Sequence, residues 1–327
     1  MRRTFIFLTI TALLVFIIAD FGSENEPMPQ DETFRLVVLP DTQIYALEHP
    51  GIFSTQTKWI RDNARDNNIV FVLHEGDIVH KNTEAEWKNA QESINFLDGA
   101  VPYALAVGNH DMSMAGRQRD SSRFNKYFPL QKLSQSSSFG GAFEESRSDN
   151  TYHLFSAKDT DWLVLSLEFG PRDEVLSWAS DVVEKYADRN VIILTHTYLY
   201  SDNKLHGSEE AHHYVPGEYL NNANSGVSMW EEFVSRHENI KFVFSGHILG
   251  SGTGVLVEKG KHGNQVYQML SNYQMLEEGG LGFMRIIEIA PSLDRVAVKT
   301  YSPYLDTYKK DSDNQFEFEG VSFIQAP

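Results

Sequence analysis

The sequence predicts an α/β fold built around a parallel β-sheet. Three short apolar runs, typical of buried strands, alternate with segments of helical spacing in the first part of the chain. Parallel neighbours need a crossover connection, usually a helix, and this alternation supplies one between each pair of strands. Polar residues suited to binding a ligand stand directly after several of these strands, as they do in open α/β sheets.

The first half of the chain is predicted to alternate strands and helices. The predicted strands cover residues 34–39, 69–73 and 103–107, and the predicted helices cover residues 51–68 and 83–97. Ile52, Trp59 and Ile60 give the first helix an apolar face. The segment from Thr83 to Glu86 resembles a capping box at the start of the second. Because the strands are almost entirely apolar, we expect a parallel sheet covered on both faces.

The second half is predicted to be richer in strands. Residues 130–150 are rich in Ser and Gly, which indicates a surface insertion. The predicted strands that follow cover residues 151–156, 162–167, 191–195, 240–245, 254–257, 265–270, 283–289 and 295–301, with helices over 172–187 and 227–237 and a polar loop over 198–225. We expect a βαβ half and a β-rich half that contribute to one site.

The N-terminus is predicted to be a targeting segment rather than part of the fold. Arg2 and Arg3 precede an apolar run of 15 residues from Phe5 to Ala19, which is the pattern of a secretory signal. The run is short for a membrane span, but Ile17 is bulky for a cleavage site, so an uncleaved membrane anchor is an open alternative. The predicted division is a signal peptide or anchor over residues 1–23, a linker over residues 24–33 and an extracytoplasmic domain over residues 34–327.

Composition excludes several classes of protein. The chain has 28 Lys and Arg against 45 Asp and Glu, a net charge of −17, and no Cys. Without Cys, thiolate zinc sites, iron–sulfur clusters and Cys nucleophiles are excluded, so any metal ligands must be oxygen and nitrogen. The acidic balance argues against nucleic acid as a partner, because such binders need Lys and Arg to displace counterions. The oligomeric state is left open.

Five predicted strand ends carry side chains that suit metal ions. They are Asp41 and Gln43 after the first strand, Asp77 and His80 after the second, Asn109, His110 and Asp111 after the third, and His196 and His247 after two later strands. Ligands of open α/β sheets bind beyond the carboxyl ends of the strands, so these groups should converge. Two Asp, one Asn and two His suit divalent ions such as Mn²⁺, Mg²⁺, Fe²⁺ or Zn²⁺.

These residues also carry a resemblance to a known family. The blocks Asp41, Gly76-Asp77, Gly108-Asn109-His110-Asp111, His196 and Gly246-His247 resemble the motifs of the calcineurin-like metallophosphoesterase superfamily. The resemblance covers the chain from Phe34 to about Phe318. It implies a four-layer α/β/β/α sandwich of two mixed sheets flanked by helices, and a centre with two divalent metal ions. It also implies hydrolysis of a phosphomonoester or phosphodiester by attack of a metal-bound hydroxide.

The resemblance implies a ligand role for each matching residue. Asp77 would bridge the two ions, and Asp41 would bind the first of them. The ligands that complete the second ion would be Asn109, His196 and His247. The expected substrate is a phosphorylated small molecule or a phospholipid.

Two further residues are implied in catalysis, and three others are left with two interpretations each. His110 would stabilise or protonate the leaving oxygen, held in place by Asp111. His80 is either a residue behind the ligands or a solvated loop histidine. Arg172 is either a phosphate clamp or a surface arginine at a helix N-terminus. His206 belongs either to a substrate lid or to a solvated loop.

The sequence departs from the family pattern only at the first metal. The usual Asp-x-His is Asp41-Thr42-Gln43 here, and the usual Gly-His-x-His ends in Leu249. Gln43 can offer an amide oxygen, or merely hydrogen-bond to its loop, and Leu249 can offer nothing. The first site is therefore expected to be weak or oxygen-rich and to suit Mg²⁺, Mn²⁺ or Ca²⁺. The alternative function is a non-catalytic exported protein that keeps the fold and one metal to hold a phosphorylated ligand.

Overall fold

The structure, a computed structural model, describes residues 28–326. The predicted signal peptide or anchor, and the first part of the predicted linker, lie outside these residues. The strands are β1 (Phe34–Leu39), β2 (Ile69–His74), β3 (Tyr103–Leu105), β4 (Phe139–Ala142), β5 (Thr151–Ala157), β6 (Thr160–Ser166), β7 (Asn190–Leu194), β8 (Ile240–Ser245), β9 (Thr253–Lys259), β10 (Gln265–Ser271), β11 (Met284–Ala290), β12 (Arg295–Ser302), β13 (Thr307–Lys309) and β14 (Gln315–Glu319). The α-helices are α1 (Gln43–Glu48), α2 (Pro50–Asn63), α3 (Glu84–Ile94), α4 (Ser122–Tyr127), α5 (Leu130–Leu133), α6 (Asp173–Lys185) and α7 (Gly226–Glu232).

The first sheet contains the βαβ half of the chain. Its strands lie in the order β13, β12, β11, β1, β2, β3, and β14 pairs with the remaining length of β12. β1, β2 and β3 are parallel, as the sequence predicted, so their carboxyl ends meet at one edge. α2 and α3 cover the outer face of this sheet through buried residues such as Phe53, Ile60 and Trp87.

The second sheet contains most of the later strands. Its order is β4, β5, β6, β7, β8, β10, β9, with a parallel centre and antiparallel edges. α6 and α7 pack on its outer face, where Leu176, Val183 and Met229 are buried against the strands. The carboxyl ends of β6, β7 and β8 therefore meet at a single edge, as those of β1 to β3 do.

The inner faces of the two sheets pack against each other through a shared apolar core. The ring of Phe34 in β1 meets the ring of Trp162 in β6 edge-on, with 5.6 Å between centroids. Phe71 in β2 stacks on Phe155 in β5 at 5.3 Å. Burying each such side chain contributes roughly 1.5–3 kcal/mol. Helices, sheet, sheet and helices form four layers, so the predicted sandwich of two mixed sheets is confirmed.

Several short elements were not predicted. The expected surface insertion over residues 130–150 contains α5 and β4. The two glycines of β4 let the ring of Tyr152 lie against the backbone, since a Cβ on Gly140 would lie 2.2 Å from that ring. α1, α4, β13 and β14 were also missed, and the predicted helices over 51–68 and 227–237 end earlier, at Asn63 and Glu232. Among the described residues, no helix combines the length and apolar character needed to cross a membrane.

Candidate metal centre

The strand ends of both sheets bring their polar residues together. Asp77 and His247 have φ of +48° and +69°, and this left-handed backbone turns each chain sharply after its strand. Two glycines allow the loops to touch. A Cβ on Gly108 would lie 2.1 Å from the backbone nitrogen of Asp77, and one on Gly246 would lie 2.2 Å from Oδ1 of Asp41. Larger residues at these two positions would force the loops apart.

Four ligand atoms converge at the predicted position of the second ion. Nε2 of His196 lies 3.1 Å from Oδ1 of Asn109, 3.1 Å from Nδ1 of His247 and 3.3 Å from Oδ1 of Asp77. All four side chains are buried, and possible ligand atoms of Asp77, His196 and His247 lie within 4.8 Å of one another. The sequence-predicted ligands of this ion are thus brought to one point.

The hydrogen bonds of the two imidazoles show that this group of atoms fits a cation. Nδ1 of His196 donates to the backbone oxygen of Glu75 at 2.8 Å, and Nε2 of His247 donates to that of Tyr214 at 3.0 Å. The opposite ring nitrogens must then present lone pairs to the carboxylate and amide oxygens. No donor lies between these four acceptor atoms when both rings are neutral, so they repel one another unless a proton or a metal ion lies between them.

The charges around these four atoms also call for a positive charge at this point. Burial alone would lower the pKa of His196, but the neighbouring Asp77 carboxylate raises that pKa to about 9. Burial and the charge of His196 hold the pKa of His247 well below its usual range. Burial opposes ionisation of Asp77, yet the charge of His196 keeps its pKa below the ordinary value. A proton on His196 therefore balances the buried carboxylate, and a metal ion must displace it.

The predicted first-ion residues lie beside this group. Oδ1 of Asp41 accepts the backbone N–H of His247 at 3.1 Å, and burial raises the pKa of Asp41 to about 8. Nε2 of Gln43 donates to Oδ2 of Asp77 at 3.0 Å, while its Oε1 accepts from Nδ1 of His80 at 2.6 Å. Gln43 thus lies between the bridging carboxylate and a neighbouring imidazole.

Three residues at this edge were not identified from the sequence. Asn272 and Gln274, just after β10, donate from their amides to Oδ2 of Asp41 at 3.1 and 3.3 Å. Glu75, just after β2, is fully buried and accepts from the hydroxyl of Ser271 at 2.8 Å, and burial raises its pKa well above the ordinary value. Polar residues directly after an apolar strand were the signal used elsewhere, and it was available here too.

The expected pairing of His110 with Asp111 is wrong. Both carboxylate oxygens of Asp111 accept backbone N–H groups, from Val79 at 3.1 Å and Gly108 at 2.8 Å. The imidazole of His110 is held instead by the backbone oxygen of His80, 2.7 Å from its Nδ1. Asp111 therefore ties together the loops after β2 and β3.

His80 lies next to the candidate acid rather than in solvent. Its half-buried ring stacks on that of His110, with centroids 5.0 Å apart and planes 14° apart. The bond from its Nδ1 to Gln43 fixes the ring from the other side. Burial lowers the pKa of His80, and the neighbouring charge of His110 acts in the same direction.

Arg172 and His206 are held by protein groups. Arg172, at the start of α6, bonds to Glu168 at 2.8 Å and to Glu144 at 3.2 Å, so its guanidinium is engaged in an ion-pair network. His206 is buried and lies 2.8 Å from the hydroxyl of Thr197, and its other nitrogen donates to a backbone oxygen of its own loop. Burial lowers its pKa to about 4. His206 therefore braces the loop over residues 198–225, and its burial contradicts the solvated-loop alternative for this residue.

The comparisons with known proteins agree with this geometry. Residues 34–251 match the family model described as calcineurin-like phosphoesterase. A curated protein of Bacillus subtilis (strain 168), the uncharacterized protein YvnB, is 34% identical over 306 residues, which cover 90% of this chain and 22% of that protein. The chain thus spans about a fifth of the length of this relative.

Two solved structures share the fold. The purple acid phosphatase PPD1 from yellow lupin superposes with a TM-score of 0.53 at 15% identity, covering 89% of this chain and 55% of that one. A dimetal phosphatase from Danio rerio also gives 0.53, at 11% identity, covering 87% of this chain and 98% of that one. At such low identity, these likenesses show the fold alone.

Proposed function

The chain belongs to the calcineurin-like phosphoesterase family, and we propose that it is a metal-dependent hydrolase of phosphomonoesters or phosphodiesters. Family membership supports metal-dependent phosphoesterase activity. The observation that carries the proposal for this chain is the group of four buried acceptor atoms around Nε2 of His196. Without a metal ion these atoms repel one another unless a proton stays on His196, and a divalent cation would compensate the buried Asp77 carboxylate in place of that proton.

The chain's own residues have distinct tasks in this reaction. When bound, divalent ions lower the pKa of water and neutralise charge on phosphoryl oxygens. Asp77 directs Oδ1 toward the imidazole side and Oδ2 toward Gln43, so it can serve both ions. His110 fixes Oδ1 of Asp77 through its backbone N–H at 2.9 Å. Because its Nδ1 is a donor to a carbonyl, a second proton on Nε2 makes His110 an acid for the leaving oxygen.

We infer a small phosphorylated molecule or a phospholipid as the substrate, rather than a nucleic acid. The net charge of −17 disfavours a polyanion that must lie along an extended surface. Arg172, the candidate phosphate clamp, is engaged by two glutamates and is not counted among the substrate-binding groups. Phosphate charge would therefore be met mainly by the ions.

The second candidate function is a protein that binds a phosphorylated ligand without turnover. One observation favours it: at the first-ion position the family's two imidazoles are replaced by Gln43 and Leu249. A centre with one well-held ion would have to lower the water pKa and polarise the phosphoryl group with the same ion. Such a centre would be slow, and binding alone would then be the retained property.

Hydrolysis of aryl phosphate mono- and diesters with Mn²⁺ tests the proposal. We expect Asn109→Ala to reduce kcat/KM by at least about 100-fold, because the variant lacks a ligand atom beside His196. Asn221→Ala, on an exposed loop, is the matched control and should keep full activity. Equal activity in wild type and Asn109→Ala would refute the assigned site. Mn²⁺ binding by wild type without turnover of either ester would favour the binding protein.

We further propose that the chain is exported, on the basis of Arg2, Arg3 and the apolar run from Phe5 to Ala19. In a bacterial host, protease added to spheroplasts should digest the full chain and spare a variant that lacks residues 2–23. The mass of the exported protein separates the alternatives, because a cleaved signal shortens the chain and an anchor leaves it intact. A full chain protected from protease would contradict export.

A further inference from the structure

Two carboxylates and two side-chain amides meet on the first-ion side of the centre. Nε2 of Gln43 donates to Oδ2 of Asp77 at 3.0 Å and also to Oε1 of Gln274 at 2.5 Å. Nε2 of Gln274 donates to Oδ2 of Asp41 at 3.3 Å. The two glutamines, from the start of α1 and from the segment after β10, thus link one oxygen of each carboxylate.

The carboxylates at this point lack sufficient positive charge from the protein. Asp41 and Asp77 are each only 1% exposed. Within residues 28–326, His196 forms an ion pair with Asp77 at 3.3 Å, while neither Lys, Arg nor His lies within ion-pair distance of Asp41. A buried carboxylate is costly unless a charge or a metal ion compensates it. The amide N–H groups of the two glutamines partly fill that role.

The amides of the two glutamines can exchange their donor ends for acceptor ends. A half-turn about the last side-chain bond swaps NH₂ and oxygen at nearly unchanged positions, and the two ends have almost the same shape. Turned in this way, Gln43 would direct an oxygen to Oδ2 of Asp77, and Gln274 would direct one to Oδ2 of Asp41, at the contacts that their NH₂ groups make now. Oxygens brought together in this way repel one another unless a cation lies between them.

We propose that Gln274 is a ligand of the first cation, where it replaces an imidazole that Leu249 cannot supply. With Asp41, Gln43 and Asp77 it forms a site of oxygen ligands only. Such a site suits Mg²⁺, Mn²⁺ or Ca²⁺, whereas Zn²⁺ gains more from imidazole nitrogen. The neighbouring second-ion site keeps two imidazoles, so the two positions differ in the ions they prefer.

Asn272 has a different task, although it contacts the same carboxylate. Its Oδ1 accepts the backbone N–H of Gln274 at 3.1 Å, and its Nδ2 donates to Oδ2 of Asp41 at 3.1 Å. Because both ends of this amide are engaged, and one by the main chain, it cannot turn without losing a backbone bond. Asn272 is therefore a positioning residue that holds Asp41 and orients the segment carrying Gln274.

Mn²⁺ binding to the full chain tests this inference, which rests on the proposed function only for the presence of two ions. Calorimetry with metal analysis should find two Mn²⁺ per wild-type chain. We expect Gln274→Leu to weaken one ion by about tenfold or more and leave the other within twofold. Gln274→Glu keeps the oxygens and adds charge, so it should tighten the same ion. Gln265→Leu, at the other end of β10, is the matched control and should bind both ions normally.

Each outcome of the Mn²⁺ titrations either supports Gln274 as a ligand of the first ion or rejects it. One Mn²⁺ per wild-type chain, or two ions unaffected by both substitutions at Gln274, would overturn the inference. Weaker binding by Gln274→Leu supports the inference only if the melting temperature of the variant matches that of wild type. Tighter binding by Gln274→Glu supports it without that condition, because a misfolded variant would not bind the ion more tightly. Absence of ester hydrolysis by wild type, with the metal results as expected, would refute the proposed function and leave Gln274 as a ligand.

Discussion

The two sides of the metal centre differ in what holds their ligand atoms. On the second-ion side, His196 and His247 each donate a ring N–H to a backbone carbonyl, so the main chain fixes the ring orientation. On the first-ion side, Gln43 and Gln274 bond to each other and to carboxylates, through side chains alone. The main chain therefore orients both imidazoles on the second-ion side, whereas on the first-ion side it holds Asp41 but leaves the two glutamine amides to side chains that can turn.

This difference predicts that the two positions hold their ions with unequal affinity. Ligands locked by the main chain lose little entropy when the ion binds, so that ion should be held tightly. Amides that must turn lose hydrogen bonds first, so the other ion should bind weakly and exchange. Substitutions on the imidazole side should accordingly cost the most.

The largest effect is expected for His196→Ala. The change removes a ligand nitrogen and also the partner that balances Asp77, 3.3 Å away. We expect kcat/KM for aryl phosphates to fall by about 1,000-fold, since the remaining groups cannot hold the tight ion. Steady-state kinetics at saturating Mn²⁺ measures the effect, with His262→Ala on an exposed turn as the control. A loss smaller than tenfold would show that the imidazole side does not hold an ion that turnover requires.

A second prediction concerns the scaffold, which must stay folded before the two sides can be compared at acid pH. His153 in β5 is buried between the rings of Phe71 and Phe139, and burial lowers its pKa to about 4. In the unfolded chain the imidazole of His153 gains a proton below about pH 6.5, whereas in the folded chain it gains one only below about pH 4. Stability is therefore full above pH 6.5 and falls as the pH drops, by up to about 3 kcal/mol from this residue.

Urea unfolding at pH 7 and pH 5 measures that loss. At pH 5 the contribution of His153 should be about 2 kcal/mol. His153→Phe keeps a ring at this place and should reduce the difference between the two pH values by that amount. The exposed His262→Phe should leave it unchanged. If His153→Phe shows the same pH dependence as wild type, protonation of His153 does not determine the loss of stability at acid pH.

A smaller effect is expected for Asp111→Asn, which tests how the imidazole side is supported. Both oxygens of Asp111 accept backbone N–H groups, from Val79 and Gly108, and these bonds join the loops that carry Asp77 and Asn109. An amide turns one acceptor into a donor that faces another donor. We expect unfolding to become easier by about 1–3 kcal/mol. Urea denaturation of this variant beside Asp188→Asn, an exposed control, provides the measurement.

Metal binding by the same variant distinguishes loop support from a direct catalytic role. If Asp111 acts through the loops, Asp111→Asn should weaken the tight Mn²⁺ and leave the pH profile of kcat unchanged. A displaced acidic limb of the pH profile, with normal Mn²⁺ affinity, would instead restore the pairing with His110 that the sequence suggested.

The sequence was a good guide where periodicity and strand ends carry the information. Apolar runs at βαβ spacing predicted the parallel strands β1 to β3, and polar residues after strands identified the side chains that converge on His196. The predicted contact between His110 and Asp111 is wrong because adjacency in the sequence does not fix the direction in which each side chain points. In the loop after β3, the backbone turns the two side chains toward different partners.

The parts that were missed depend on information that single residues carry weakly. β13 and β14 are short edge strands whose residues are mostly exposed, and both pair with the free edge of β12. Gln274 follows an apolar strand as Asp41 does, so the strand-end signal was available, but the bond that relates Gln274 to Asp41 is visible only in the folded chain. Distant pairings of this kind come from the packing of the two sheets.

The smallest effect, and the most specific, is expected for Gln43→His. This change places an imidazole among the proposed first-ion ligands, which have none, next to Oδ2 of Asp77. Since Zn²⁺ prefers nitrogen over neutral oxygen, its affinity for the weaker position should rise about tenfold relative to Mn²⁺. Competition between the two metals, followed by metal analysis, measures the ratio, with Gln118→His on an exposed turn as the control. The new imidazole also loses the bond to His80, so kcat should not rise in proportion. An unchanged metal ratio would place Gln43 outside the ligand set and confine its role to orienting His80.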